Sequence, residues 1–402
     1  MTIRSLDNIE ISSPKSYSLS LCIFLCVSIL ILPSPVLLHF GIRGIHTLPI
    51  SILAIGLYSV LLNRKFKKWV LQLTFFILLF SFFSVLYWKE YRIILLPFWI
   101  ISALLSISIT TQEEISRSVD LLSWMVLALL IGAIIGFFLV LGGMLPIANL
   151  SDKWGTTMIY SYGFTLTNMI YGNIIRPAGI FDEPGAFSFF ICVTVFFRHI
   201  LGKKLGLTVI LLVLGFITFS LMHLLFSLLF LASFEFKFKN FFLSVIFLAF
   251  TFLLLISTGI LDVFDVLLNS RFVTFYDTFG DNERYLAFQN CIKVLTNNWW
   301  ALIFGINSNC LFEIVLCVSD YGIICCNPLE PLTSSGILLS WPYYFGLLYL
   351  SIQGLRKRKN LLFIGFVLLF LQRPGIHSPG YSLCFALAIW VAMRLNKKSI
   401  NF

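Results

Sequence analysis

The polar segment at residues 176–187, RPAGIFDEPGAF, interrupts a chain that is otherwise strongly apolar. It places Arg176, Asp182 and Glu183 directly before an apolar run that begins at Ala186. Ionisable groups at a membrane boundary are costly to keep there, so their presence predicts a function. A guanidinium matches phosphate oxygens with paired hydrogen bonds, and a carboxylate can accept a proton. The segment therefore predicts chemistry on a lipid-linked phosphate substrate.

A structural role is the alternative for the same residues. Arg176 and Glu183 would then pair with each other and cap the next helix. Glu183 would lie at the N-terminus of a helix that starts near Pro184, where the helix dipole favours a carboxylate. Base and helix cap both fit Glu183, and the sequence leaves the two roles open.

Two further polar segments supply cations and a histidine. In the first, Arg271 and Arg284 suit a pyrophosphate headgroup, and ordinary anchoring to lipid headgroups is the alternative. In the second, Arg373-Pro-Gly-Ile-His377 joins the last two apolar runs. His377 could act as a general base near neutral pH, and a bare turn is the alternative there. The candidate residues are thus Glu183, His377 and Arg176 for catalysis, and Arg176, Arg271, Arg284 and Arg373 for binding pyrophosphate.

The composition predicts an all-α polytopic membrane protein that forms one integral membrane domain over residues 1–402. The chain is 59% hydrophobic and only 11% charged, whereas soluble domains carry about 25% charged residues. Continuous apolar runs fit helices, because a barrel would show alternating patterns. We expect about twelve transmembrane helices, with about eleven as the alternative, since each needs roughly 20 apolar residues.

Basic clusters between the apolar runs predict the orientation. They lie near residues 64–68, 198–204, 237–239, 356–359 and 394–398. The net charge of +10 is therefore attributed to topology and not to nucleic acid, and both termini are expected to be cytoplasmic. This orientation requires a tight hairpin near Ser220. One long tilted helix over residues 206–235 would reverse the orientation of every later helix and place the cluster at residues 356–359 outside.

Two large loops are then predicted on the periplasmic face, at residues 144–185 and 263–335. In the second loop, residues 284–295 have helical spacing of Tyr285, Phe288 and Ile292, which predicts an amphipathic helix along the membrane face. Five cysteines in this loop allow one or two disulfides in an oxidising compartment: Cys291, Cys310, Cys317, Cys325 and Cys326.

Several motifs are missing from the sequence. We find no Walker A motif, no GxGxxG on a strand, no GxSxG and no DxD pair. These absences disfavour an enzyme that uses a cytosolic nucleotide sugar. A donor on the outer face would therefore have to be lipid-linked. The sequence also predicts no metal site and no cofactor.

Four segments together resemble the bacterial O-antigen polymerase (Wzy-type) family, which is related to O-antigen ligases. Residues 176–184 are similar to that family's R-x-x-G-x-F-x-E-P loop, and Thr218-Phe-Ser220 to its Thr-x-Ser turn. Arg284 followed by residues 302–305 resembles its arginine, helix and Phe-Gly step. At the level of architecture the resemblance covers most of the chain.

The fourth segment, residues 327–332 followed by Gly336, resembles the family's final loop before a span. O-antigen ligases of this superfamily usually carry a histidine before the asparagine of that loop. Here the position holds Cys326, which favours a polymerase over a ligase.

The resemblance implies a metal-independent glycosyltransferase of the bacterial inner membrane with a periplasmic active site. It would transfer a growing glycan from undecaprenyl pyrophosphate to a sugar hydroxyl of another lipid-linked repeat unit. Arg176, Arg284 and Arg271 would stabilise the departing pyrophosphate, and Glu183 or His377 would deprotonate the acceptor.

The implied partners are the lipid-linked oligosaccharide as donor and acceptor, membrane lipid and a chain-length regulator, with no nucleic acid. The alternatives are an O-antigen ligase, or a transporter or flippase of lipid-linked sugars. A flippase should carry intramembrane charges and short loops, whereas this chain concentrates its polar residues in two long loops.

Overall fold

A computed structural model of the chain describes residues 14–39, 44–90, 93, 97–151, 158–171, 174–233, 283–306, 318, 320–324, 327–356, 360–375 and 378–398. Some of the predicted features lie outside these residues. They include Arg271, His377, the basic cluster at residues 237–239 and the cysteines Cys310, Cys317, Cys325 and Cys326.

The chain is mostly helical, and its helices follow the apolar runs of the sequence. Before residue 233 the helices are α1 (Pro14–Leu30), α2 (Pro35–His39), α3 (Gly44–Leu61), α4 (Lys68–Trp88), α5 (Phe98–Ile109), α6 (Gln112–Leu141), α7 (Pro184–Ile200), α8 (Leu205–Gly215) and α9 (Leu221–Ala232). The second half contains α10 (Glu283–Asn297), α11 (Trp299–Phe304), α12 (Glu330–Arg356), α13 (Asn360–Gln372) and α14 (Pro379–Lys398).

Two of the described helices, α4 and α6, are long and apolar enough to cross a membrane. Eight other apolar helices among the described residues are shorter, with 10–17 residues. The number of spans and their orientation therefore stay predictions.

The first predicted loop, 144–185, contains short strands that the all-α prediction missed. The strands are β1 (Ala148–Ser151), β2 (Met158–Ser161), β3 (Leu166–Thr167), β4 (Ile170–Tyr171) and β5 (Ile174–Ile175). They form an antiparallel sheet in the order β1-β2-β3 and a separate β4-β5 hairpin. Strands of two to four residues are too short for alternation to reveal them in a sequence.

Helix α7 lies at the centre of the helical packing. Nearly all its residues are buried, and it contacts α6, α8, α9, α13 and α14. Phenylalanines fill its interface with α13, where Phe196 packs on Phe366 at 4.1 Å and Phe189 on Phe370 at 5.0 Å between ring centroids. A helix that is apolar on most sides is buried in protein or in lipid, and α7 is buried in protein. The five neighbouring helices therefore hold α7, and with it the residues at its start, in a defined position.

Basic residues collect at the opposite end of α7. Arg198 donates to Ser123 Oγ of α6 at 3.1 Å and to Thr208 Oγ1 of α8 at 3.0 Å. Arg64 pairs with Glu114 at the start of α6, with 2.5 Å between Nη1 and Oε2. Arg198 lies about 21 Å along α7 from Pro184, and Arg64 is bound at the start of α6, the helix whose Ser123 accepts from Arg198.

Candidate functional site

Glu183 is the residue that precedes α7, and its backbone is extended. Pro184 occupies the first helical position, which suits a residue without an N–H group. The Glu183 side chain makes no capping hydrogen bond. Glu183 thus occupies the N-cap position, where the helix dipole favours its carboxylate, but the side chain is directed to other groups.

Arg373 forms an ion pair with Glu183, Nη1 to Oε1. The arginine follows α13 and is 8% exposed, whereas the Glu183 side chain is 27% exposed. Gly185 makes room for this pair, because a Cβ atom there would lie 2.6 Å from Arg373 Nη2. The structure thus brings together two candidate residues that lie far apart in the sequence.

Arg176 occupies a second buried position and is 4% exposed. Its Nη2 donates to Phe219 O at 2.9 Å and to Thr218 O at 3.3 Å, and Nε also donates to Thr218 O at 3.3 Å. Its Nη1 lies 2.7 Å from Met169 Sδ. Arg176 therefore joins the first loop to the turn after α8, and direct binding of pyrophosphate by Arg176 stays a prediction.

The turn that receives Arg176 breaks the apolar stretch 206–235, as the predicted hairpin requires. A 3₁₀ turn covers Phe216–Thr218, and Phe219 has a φ of 46°, which is costly for a residue other than glycine. The Thr218 hydroxyl donates to Gly215 O at 2.9 Å. This unusual backbone directs two successive carbonyl groups at one guanidinium.

Several contacts hold the segment between Arg176 and Glu183. Ser34 Oγ donates to Ile180 O at 2.5 Å, and Leu166 N donates to Gly179 O at 2.7 Å. Phe181 is 1% exposed and stacks on Phe190 of α7, with ring centroids 4.7 Å apart. The loop is thus fixed to the helices at several points, and this fixes the start of α7.

Arg284 lies at the start of α10 and is exposed. The predicted helix over residues 284–295 is confirmed, because α10 spans Glu283–Asn297. The positive charges of Arg284 and Arg176 both lower the pKa of Glu183. One arginine thus contacts the carboxylate and two others act on it by charge alone, and Arg284 is the exposed one among the three.

The surroundings of Glu183 act on its pKa in opposite directions. Burial raises the pKa of the carboxyl, while the charge and hydrogen bond of Arg373 lower it, together with the charges of Arg284 and Arg176. The arginines prevail, so the pKa of Glu183 lies below its ordinary value. The carboxylate is therefore ionised at neutral pH and can accept a hydrogen bond from a hydroxyl.

Residues 302–305 contact the segment around Gly336, and both belong to the four segments that carry the family resemblance. Gly305 and Gly336 have φ values of 77° and 65°, and a Cβ atom on either would overlap the backbone of the other segment. Ile306 N donates to Thr333 O at 2.9 Å across this contact. The close approach of two backbones at paired glycines joins α11 to a kink in α12.

Asn327 organises the loop before α12. Its side-chain oxygen accepts from Leu329 N at 2.9 Å, and its Nδ2 donates to Ile324 O at 2.7 Å. Nδ2 also lies 3.4 Å from Cys291 Sγ. Cys291 Sγ in turn lies 3.6 Å from Ile324 O, and the disulfides stay predictions because the other four cysteines of the loop lie outside the described residues.

The described residues contain no group of three or more His, Cys, Asp or Glu side chains that could hold a metal ion. Sequence reasoning missed the ion pair of Arg373 with Glu183 and the carbonyl groups that bind Arg176. The polar segments identified Arg176, Glu183 and Arg373 as candidates. Their spacing in the sequence could not show which residues contact each other, because they lie far apart.

Comparisons with family models, curated proteins and solved structures found no significant match to this chain.

Proposed function

We propose that the chain is a polytopic enzyme of the bacterial inner membrane that polymerises a lipid-linked glycan at its periplasmic face. The growing glycan would be transferred from undecaprenyl pyrophosphate to a sugar hydroxyl of another lipid-linked repeat unit, as in the O-antigen polymerases that the chain resembles. One observation carries this proposal. The Glu183 carboxylate lies at the start of a buried helix, paired with Arg373 and within the field of Arg284 and Arg176.

The reaction needs stabilisation of the leaving group. The bond between the sugar C1 and the pyrophosphate oxygen breaks, and its electron pair leaves with the pyrophosphate. Arg284 is exposed and can meet this anion first, while Arg373 lies next to the carboxylate. Preorganised cations at the site of developing negative charge lower the barrier without rearranging.

The reaction also needs a base for the acceptor hydroxyl. A new bond forms between the acceptor oxygen and C1, and the hydroxyl proton passes to the Glu183 carboxylate. Paired with Arg373, this carboxylate is a weak base, because its pKa is lowered. A pyrophosphate that attracts Arg373 would weaken the pair and raise the pKa of Glu183 when both substrates are bound. His377 is the alternative base from the sequence.

The distribution of apolar and basic residues supports the membrane location. Helices α4 and α6 are long and apolar enough to cross a bilayer, and many large apolar side chains are exposed on the protein surface. Arg64 and Arg198 lie at the end of the helices remote from Glu183. The excess of Lys and Arg on cytoplasmic segments would then place Glu183 on the outer face.

The test uses the purified chain in nanodiscs with an undecaprenyl-pyrophosphate-linked repeat unit and no added metal. We expect multimers of the repeat unit on the lipid carrier, with release of one undecaprenyl pyrophosphate for each bond formed. Products that form only when a lipid A core is supplied would indicate a ligase. Movement of the repeat unit across proteoliposome membranes without bond formation would indicate a flippase. Either result would overturn the proposal.

A further inference from the structure

A row of four aromatic rings joins the end of α4 to α11. We call Tyr87, Trp299, Trp300 and Phe304 the aromatic ladder. Trp299 stacks on Trp300 with 3.7 Å between ring centroids, Trp300 lies 5.8 Å from Tyr87, and Tyr87 lies 4.0 Å from Phe304. Stacked rings of this size form a rigid surface.

A hydrogen bond fixes the ladder to a helix that can cross a membrane. Trp88 is the last residue of α4, and its Nε1 donates to Phe304 O at 3.1 Å. Lys89 then ends the helix in a left-handed conformation, with a φ of 54°. Helix α11 is therefore held at the level where the apolar surface of α4 stops.

The ladder is exposed and continues two other exposed apolar surfaces. Trp299 is 59% exposed and Trp300 is 42% exposed. On α4, the exposed residues that lead up to the ladder are Phe75, Phe76, Phe82, Phe83 and Leu86. On α10, Tyr285, Phe288 and Ile292 are exposed, whereas Ala287, Cys291 and Val294 are buried.

This continuity favours lipid over a sugar or a protein as the occupant of the surface. Trp and Tyr side chains prefer the headgroup level of a bilayer, where one part of the ring is apolar and another is polar. The ladder lies where a 21-residue apolar helix ends, and its exposed neighbours Leu86 and Leu302 are aliphatic. Such an extended apolar surface marks contact with a membrane or a partner.

We propose that the aromatic ladder and the exposed apolar row of α10 lie in the headgroup layer, so that α10 runs along the membrane surface. This inference rests on the membrane location in the proposed function. It also gives Arg284 a position, because Arg284 is the second residue of α10, about 20 Å along the helix from Asn297, which lies two residues before Trp299 of the ladder. Arg284 then lies at the depth of lipid phosphates and can meet a polyprenyl-linked pyrophosphate without removing it from the headgroup layer.

The test measures depth with 5-fluorotryptophan and ¹⁹F NMR on the full chain in nanodiscs, without substrate. Nitroxide-labelled lipids carry the spin label near the glycerol or near the bilayer midplane, and a gadolinium chelate probes the water. Phenylalanine variants assign the resonances of Trp299, Trp300, Trp124 and Trp390. We expect the Trp299 and Trp300 signals to broaden most with the label near the glycerol.

Two other tryptophans are internal controls. Trp124 is 61% exposed and lies about 18 Å along α6 from its first residue, so the midplane label should broaden it most. Trp390 is 4% exposed and should respond little to any probe.

The outcomes separate this inference from the proposed function. If the midplane label reaches Trp124 while only the gadolinium chelate reaches Trp299 and Trp300, the ladder faces water and the inference is overturned. If no lipid label reaches Trp124, the membrane location itself fails, and the proposed function fails with it.

Discussion

Gly185→Ala is a sharp test of the site, because it moves Arg373 without removing a charge. The new methyl group would lie 2.6 Å from Arg373 Nη2 and 3.4 Å from Cζ. Ordinary van der Waals contact needs about 3.5–4.0 Å, so the guanidinium must shift by roughly 1 Å. The obstacle is the end of a flexible side chain, and we therefore expect the variant to fold.

The shift weakens a charge-assisted hydrogen bond between Arg373 and Glu183. Such a bond contributes about 1.5–3 kcal/mol when both groups are buried. Because the Glu183 side chain is 27% exposed, we expect a loss of about 1–2 kcal/mol in the free energy of unfolding near pH 7.

The loss should depend on pH with a definite sign. The pKa of Glu183 is lower in the folded protein than in the unfolded chain. The pair therefore contributes stability above the unfolded pKa of about 4.3, and this stability is lost as pH falls through the lower folded pKa. The difference between wild type and Gly185→Ala should shrink as pH falls through this range.

Thermal unfolding in detergent between pH 2.5 and pH 7 measures the effect, because this range covers the unfolded pKa and the region below it. Gly206→Ala is the matched control, because a Cβ atom at Gly206 of α8 would meet nothing within 4 Å. Glu183→Gln provides the second comparison, since it removes the carboxylate. A deficit for Gly185→Ala that is independent of pH, or that persists unchanged in the Glu183→Gln background, would refute this account of the pair.

Three other substitutions test the supports of the site. Gly336→Ala forces a side chain into a φ of 65° and into the backbone of α11, so we expect a loss of several kcal/mol or failure to fold, while Gly56→Ala, with open space around it, remains folded. His223→Leu removes a buried hydrogen bond of 2.8 Å to the end of α8 and should cost about 1–3 kcal/mol, which His223→Gln should partly restore in thermal unfolding. Arg176→Lys cannot reproduce the fork that holds two carbonyl groups, so hydrogen exchange at the turn around Phe219 should rise by about tenfold or more; unchanged exchange would contradict this role.

Much of the helical architecture could be predicted from the sequence, because apolar runs report burial or lipid contact directly. Helix α7 starts at Pro184, next to the predicted start at Ala186, and α10 has nearly the predicted bounds. Helical spacing alone did not show which face of α10 is buried. Small residues, Ala287 and Cys291, pack inward, and the large apolar row remains exposed.

The site itself could be predicted only in part. The segment around Arg176 and Glu183 was recognised because charges are rare in this chain. Its contacts depend on long-range packing, since Arg373 and Glu183 are separated by several helices. The contact of Gly305 with Gly336 likewise depends on the close approach of two backbones. A glycine in the sequence does not show which other segment will pack against it.

The most direct test of the central claim is the rate of glycan transfer by Glu183→Gln in nanodiscs with the lipid-linked repeat unit. The amide keeps the size of the side chain but cannot take the proton from the sugar hydroxyl of the acceptor. We therefore expect the rate of transfer to fall by roughly 100- to 10,000-fold. Glu113→Gln is the control, because Glu113 pairs with Arg117 on the exposed surface of α6. Release of undecaprenyl pyrophosphate at the wild-type rate by Glu183→Gln would contradict the role of this carboxylate as the base.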